Sequence, residues 1–282
     1  MKITRPIINT LLDAMSMRRP LVGELFLLGL RGASCSTQRT ATAALEIEQR
    51  ETPLINHYHD LMLVIRDNTI TAFQYSAGPG DYYIKCGGAA GDGKGVAILL
   101  NGCWRYKRGI HAPHPPGYPA LVQADGVMIL RDGDRDGVQD DNEPHQWGWF
   151  GINIHKGGYA PANDKDGAKV GPNSAGCQVI LDVEGRAWME FKTLVYAAGN
   201  STYDYTLIDT NWMERALGEE KARFMIRGSM DNRVKALQNK LAIPQTGIYD
   251  NLTMMAVRKF QRDAGVTPNG CAGPTTCGLL KI

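Results

Sequence analysis

Within Trp147–Leu181 (WGWFGINIHKGGYAPANDKDGAKVGPNSAGCQVIL), one histidine and one cysteine stand in tight, glycine-flanked settings, and their types are those of a base and a nucleophile. A thiol is a weak nucleophile until it is ionised, and a neighbouring imidazole can take its proton and later return it to a leaving amine. His155 and Cys177 are the candidates for those roles. Gly176 lets the backbone approach a substrate carbonyl closely, Ser174 can hydrogen-bond within the turn, and the N–H groups of that turn would form an oxyanion hole. The chemistry that pattern points to is acyl transfer. An isolated histidine or cysteine is more often a core residue, and it is the glycine and serine context that argues otherwise here.

The elements that must position this pair can be read from periodicity. Phe150, Ile152 and Ile154 alternate with Gly151, Asn153 and His155, a strand that ends at the histidine, and Val179–Leu181 reads as a buried strand. From Asp60 the chain predicts further short strands, LMLVIRD, TITAFQYSAG, DYYIKCGG and VAILLNGCWRY, separated by turn residues. Gly87–Gly95 is glycine-rich, but no lysine and serine follow at the spacing of a phosphate loop. Asp182–Ala198 sets Trp188, Phe191, Leu194 and Val195 at helical spacing, and Tyr203–Leu207 predicts a last strand. Ahead of Asp60, Ile7, Leu11, Leu12 and Met15 predict an amphipathic helix. Leu21–Leu30 predicts a strand or buried helix, and the GASCSTQRTATAA stretch a loop. The expected class is α+β, with residues 1–210 as one β-rich domain whose opening elements are residues 1–60.

Two segments offer further ligands. Trp104–Val122 (WRYKRGIHAPHPPGYPALV) is stiffened by prolines at 113, 115, 116 and 119, and reads as a wall of the substrate cleft. From it Arg108, His111 and Tyr118 are expected to bind substrate, with Asn153 and Gln178 beside the proposed dyad. His111 and His114 have no third ligand at metal spacing in the sequence. Asp132–Glu143 (DGDRDGVQDDNE) matches the twelve-residue calcium-loop template. It supplies Asp132, Asp134, Asp136, Asp140 and Glu143 as ligands, Val138 as a carbonyl donor and Gly137 at the sharp turn. The expectation is a structural Ca²⁺ that stiffens the approach to His155, with no cofactor for catalysis.

Histidine, a gap, then Ser-x-Gly-Cys resembles the signature of the L,D-transpeptidase (YkuD-like) family. The resemblance implies His155 as base, Cys177 as nucleophile attacking a peptidoglycan stem-peptide carbonyl to give a thioester, and Ser174 and Gly176 as the signature turn. The family usually carries an arginine two places after the cysteine; this chain has Val179 there. Papain-like cell-wall amidases place the nucleophile before the histidine, the reverse of the order here.

Asn211–Arg227 predicts a helical bridge over 211–230. Beyond it, V-x-x-LQ-x-x-L, G-x-Y-D, T-x-x-AV-x-x-FQ, G-V-x-x-NG and GP-x-T follow in order, with apolar stripes Val234, Leu237, Leu241 and Ala256, Val257, Phe260. Residues 231–282 resemble the peptidoglycan-binding type 1 module, which implies a small three-helix domain and peptidoglycan as partner. Cys271 and Cys277 could close a small disulfide.

A formal charge of +2 with no polybasic or basic-aromatic tract excludes nucleic acid as the expected partner. No apolar run reaches the roughly 18 residues of a membrane span, and the N-terminus has no secretory signal pattern. The expected place of action is the periplasm or cell wall, reached by phage or secretion-system delivery. Together these readings predict a peptidoglycan-active cysteine enzyme that hydrolyses stem-peptide amides, of phage-lysin (endolysin) or secreted-effector type. The alternatives are a true L,D-transpeptidase and a non-catalytic wall-binding virion protein.

Overall fold

The computed structural model describes residues 1–50, 55–89, 93–112, 116–138, 143–157, 163–164, 167–219 and 222–282. Its main strands, in chain order, are β1 (Leu25–Arg31), β2 (Asp60–Arg66), β3 (Thr69–Ser76), β4 (Val96–Leu99), β5 (Gly102–His111), β6 (Tyr118–Gln123), β7 (Val127–Asp132), β8 (His145–Gly148), β9 (Ile154–Lys156), β10 (Gln178–Ile180) and β11 (Tyr203–Asp209). Eight of them close into a barrel in the order β6-β9-β10-β3-β2-β1-β11-β5, and β8-β7-β4 form a sheet beside it. Closure leaves no barrel edge unpaired, and two neighbour pairs, β9 with β10 and β1 with β11, run parallel.

The apolar run at Leu21–Leu30 is resolved by the alternation of a strand. Leu25 and Leu27 join one core cluster with Met62, Val64, Phe73 and Tyr205. Phe26, Leu28 and Leu30 join a second, beneath helix α1 (Arg5–Ala14) and its Ile8, Leu11 and Leu12. Both faces of β1 are therefore buried, which is why it reads as unbroken hydrophobicity. Inside the barrel the Tyr75 and Tyr205 hydroxyls meet at 3.0 Å, and a Cβ on Gly29 would overlap both. Arg31 ties the barrel to the side sheet, donating to Asp209 Oδ1 at 2.8 Å and to the Leu99 carbonyl at 2.8 Å.

Two predicted elements differ. Asp81–Cys86, expected as a strand, is the short helix α2: Gly80 precedes it in extended conformation, Gly87 ends it at φ 73°, and Lys85 reaches back to Asp81 at 2.9 Å. These end signals outweigh the strand preference of Tyr82, Tyr83 and Ile84. The expected helix over 211–230 ends early: α4 covers Thr210–Leu217, and the described residues of the segment beyond it are not helical. Helix α3 (Ala187–Ala197) contributes Trp188, Phe191 and Val195 to the barrel core.

The C-terminal unit comprises α5 (Asn232–Lys240), α6 (Asn251–Asp263) and α7 (Pro274–Leu280). Asp231 and Asp250 cap α5 and α6 by accepting from Val234 N and Thr253 N. The unit is built on a repeated polar pin. Gln238 accepts from Gly247 N, nine residues on, and donates to Thr253 Oγ1, fifteen on. Gln261 accepts from Gly270 N and donates to Thr276 Oγ1 at the same spacings. Each buried amide is thereby satisfied, and each fixes one interhelical turn. Cys271 and Cys277 are separate free thiols, so the small disulfide is not formed.

Residues 222–230 strap this unit to the barrel. Phe224 N donates to Ala14 O at 2.9 Å, Met225 bridges to Ala272, and the Arg227 guanidinium lies 4.8 Å from the Trp104 ring centre. The barrel interior has no slack at Gly29. Gly29→Ala is expected to lower unfolding free energy by ~1–3 kcal/mol, measured by denaturant titration; an unchanged midpoint would contradict the tyrosine contact as described.

Candidate active site

Parallel pairing of β9 with β10 sets Ile154 opposite Gln178 and His155 opposite Val179. Side chains alternate along a strand, so Cys177, two residues before Val179, shares the face of His155. Ile154 and Gln178 take the opposite, inward face. The turn before Cys177 is held from three directions. Ser174 Oγ donates to Cys177 O at 2.8 Å and accepts from Gly176 N at 3.0 Å. Gly80 N donates to Ser174 O at 2.9 Å. Gly176 sits at φ 130° against β4, where any Cβ would run into the Ala97 carbonyl. The Gly176 amide is thus spent within the turn and is not a free oxyanion donor.

Cys177 opens onto a cleft of about 640 Å³ lined by His111, Tyr118, Arg131, Trp149, Phe150 and His155, among others. One ligand atom each from His111, His155 and Cys177 lies within 4.8 Å of the other two. His155 is 2 % exposed. Its Nδ1 is 2.7 Å from the Lys156 carbonyl, a distance at which Nδ1 must carry the proton. The tautomer is assigned by that contact. It leaves Nε2, buried and without a hydrogen-bond partner among the described residues, with the free lone pair. Tyr118 Oη lies 3.0 Å from the same Nδ1 and braces the ring. At rest the thiol donates to Gly151 O at 3.3 Å and receives Asn153 N–H at 3.5 Å.

The electrostatics are those of a neutral pair. Burial pushes the Cys177 thiol up to about 11, against which the Asn153 amide acts weakly. Burial, with the neighbouring His111, holds His155 down at about 3. The His111 ring stacks on His155 with centres 4.0 Å apart and planes 12° apart, and Asn153 Nδ2 lies 3.0 Å from His111 Nδ1. Burial lowers the His111 pKa as well. The three side chains have the chemistry of a zinc ligand set. However, nearly parallel imidazoles aim their in-plane lone pairs side by side, so a shared metal would require one ring to turn.

Two expected substrate contacts are corrected. Gln178 is fully buried inside the barrel, accepting from Tyr205 Oη at 2.8 Å and donating to the Ala77 and Gly176 carbonyls at 3.3 and 3.4 Å. It supports the turn from behind. Arg108 points away from the cleft, donating to Tyr203 Oη at 2.9 Å and Tyr196 O at 2.6 Å. His111 and Tyr118 line the cleft, and Asn153 reaches it through His111. The Lys156 carbonyl and Arg131 carried no sequence signal. Trp149, 65 % exposed, did stand beside the central motif.

In the acidic loop, carboxylate oxygens of Asp132, Asp134 and Asp136 lie within 4.8 Å of one another. Gly137 has φ 78°, as the sharp turn requires. Asp132 is fully buried and accepts from Asp136 N and Gly137 N, while Glu143 accepts from Gly133 N. Burial raises the Asp132 pKa, and the neighbouring Asp136 and Asp134 add to it. Val138 donates its amide to Asp136 at 2.7 Å, and its carbonyl has no assigned role. Asp140, like His114, lies outside the described residues.

With the thiol near 11, only about one part in ten thousand is thiolate at pH 7. Iodoacetamide labelling of Cys177 in the native protein is expected to quicken about tenfold per pH unit from 7 to 10; a plateau below pH 9 would contradict a neutral pair. His155 is neutral when folded, whereas an unfolded imidazole takes a proton near 6.5. Stability from this residue is full above about pH 6.5 and is lost as pH falls toward about 3. His155→Gln is expected to flatten that slope in acid titrations followed by circular dichroism.

Comparison with known proteins places one part of the chain. Residues 230–280 match the family model of the peptidoglycan binding domain, which covers α5, α6 and α7. No curated protein and no solved structure matches the chain. No described helix is long and apolar enough to cross a membrane. The C-terminal unit is thus similar to peptidoglycan-binding domains, a likeness that supports association with the cell wall.

Proposed function

We propose that the barrel is a peptidoglycan-active cysteine enzyme that cleaves stem-peptide amides through a Cys177 thioester. The observation that carries this reading is the buried, unpartnered Nε2 of His155 beside the Cys177 thiol, in a cleft of a chain that ends in a peptidoglycan-binding module. Cys177 Sγ attacks the amide carbonyl carbon as its proton passes to His155 Nε2, giving a tetrahedral oxyanion and an imidazolium. The C–N bond then breaks, the imidazolium proton goes to the leaving nitrogen, and a thioester and a free amine result. Water adds to the thioester with His155 as base, and the thiol leaves with the returned proton, releasing the acid.

A neutral pair suits this sequence, because charge separates only as the carbonyl is attacked. The Lys156 carbonyl, accepting from Nδ1, stabilises the imidazolium that forms. The module raises the local concentration of wall peptides at the cleft, and the strap at 222–230 fixes its bearing on the barrel. Water is the proposed acceptor. An amine acceptor, giving cross-links or exchanged terminal residues, would use the same thioester.

Calcium belongs to the same proposal. Asp132, Asp134 and Asp136 fit the first three ligand positions of the loop, and a bound ion would offset the crowding of three carboxylates. Its role is structural: the loop follows β7, a strand whose Arg131 lines the cleft.

With purified muropeptides, wild type is expected to yield trimmed stem peptides by mass spectrometry, and Cys177→Ala and His155→Ala to fall at least ~100-fold. New cross-links without trimmed stems would overturn hydrolysis, and sacculus binding with no covalent change would overturn catalysis. Millimolar Ca²⁺ added after chelation is expected to raise the melting temperature by roughly 5 °C, an effect lost in Asp134→Asn. Equal melting with and without the ion would exclude the calcium site.

A further inference from the structure

The cleft around Cys177 carries a cation whose charge nothing in the catalytic scheme uses. Arg131, half-buried on β7, is paired in register with Ala97 on β4. Ala97 in turn lies against the signature turn, its amide donating to Ala175 O at 3.4 Å and its carbonyl filling the space beside Gly176. The Arg131 backbone is therefore one strand spacing from a residue that touches the turn bearing the nucleophile.

The guanidinium is fixed in place without being neutralised. Nε donates to Gln146 Oε1 at 3.1 Å, Nη1 donates to Gly95 O at 3.3 Å, and the Phe150 ring centre lies 5.3 Å from Cζ. All three partners are uncharged. Nη2 makes no hydrogen bond among the described residues. Among the described residues that line the cleft, Arg131 is the one permanently charged side chain, and no carboxylate accompanies it. A half-buried, prepositioned guanidinium with an open donor edge is built to receive a planar anion, for which two parallel N–H···O bonds give both affinity and orientation.

We propose that Arg131 forms a carboxylate-binding subsite, so that the enzyme selects stem peptides by a free carboxylate near the scissile amide. This rests on the acyl-transfer reading of the cleft and names what that site recognises. Stem peptides offer two sources of such a group, the C-terminal carboxylate and the α-carboxylate of the γ-linked D-glutamate. Recognition of the first makes the enzyme a carboxypeptidase-type trimmer, and recognition of the second makes it sensitive to amidation of that glutamate.

The test separates recognition from turnover by using full-length Cys177→Ala and following Trp149-region fluorescence on titration with three synthetic stem tetrapeptides. One has both carboxylates free, one has a C-terminal carboxamide, and one has D-isoglutamine in place of D-glutamate. One amidated peptide is expected to bind roughly tenfold more weakly than the free acid, and Arg131→Met in the same background is expected to erase that difference. Arg131→Lys, which keeps the charge and the fold but loses the fork, should retain part of it. Equal binding of all three peptides, no binding of any, or discrimination that survives Arg131→Met would overturn the subsite. Acylation of wild-type Cys177 by the same peptides is read separately by intact mass, so a failure of the thiol chemistry is distinguishable from a failure of recognition.

Discussion

The parallel pairing of β9 with β10 is the constraint on which the site depends. Two short strands, Ile154–Lys156 and Gln178–Ile180, lie side by side in a register that puts His155 opposite Val179. The alternation of a strand then brings Cys177 to the face of His155 and sends Ile154 and Gln178 inward. A slip of one residue would turn the imidazole into the barrel and leave the thiol facing isoleucine. Register is protected by what each face meets. Inside, Gln178 is pinned by Tyr205, which also meets Tyr75 in the room left at Gly29. Outside, Val179 and Cys177 pack with Tyr58 and Val170.

The same network links the barrel core to the turn before Cys177. Gln178 donates to the Gly176 carbonyl while Ser174 holds the Gly176 amide and the Cys177 carbonyl. The turn is thus braced by fully buried polar groups on both sides, which limits the freedom of the thiol without charging it. The pair stays neutral because burial disfavours the charged form of both groups, with His111 adding to the effect on His155.

Much of this was legible along the chain, and the reasons for the rest are specific. The glycine and serine around Cys177 marked the turn because positive φ and tight packing admit few other residues. Adjacency to the cysteine suggests that Gln178 lies near substrate, whereas a period of two along the strand assigns it to the opposite face. Arg108 stands among basic neighbours in the sequence, and only the closure of β5 against β11, and the seating of α3, decide which way it points. Asp81–Cys86 became a helix through its flanking glycines in spite of its aromatic residues. Barrel closure pairs Leu25–Arg31 with Tyr203–Asp209 across most of the chain, and no local pattern encodes that. The C-terminal module is readable because its short motifs follow in order and its apolar stripes recur at helical spacing, whereas the glutamine pins that fix its turns emerge only from the fold.

The central claim is that Cys177 becomes covalently acylated. Rapid-quench intact-protein mass spectrometry with a stem tetrapeptide, followed by peptide mapping, tests it most directly. The account predicts a transient adduct with the mass of the acyl donor less its leaving amine, hydroxylamine-labile and confined to Cys177. An adduct on another residue, or product release with no adduct at any quench time when hydrolysis of the thioester is slowed by low temperature, would contradict it.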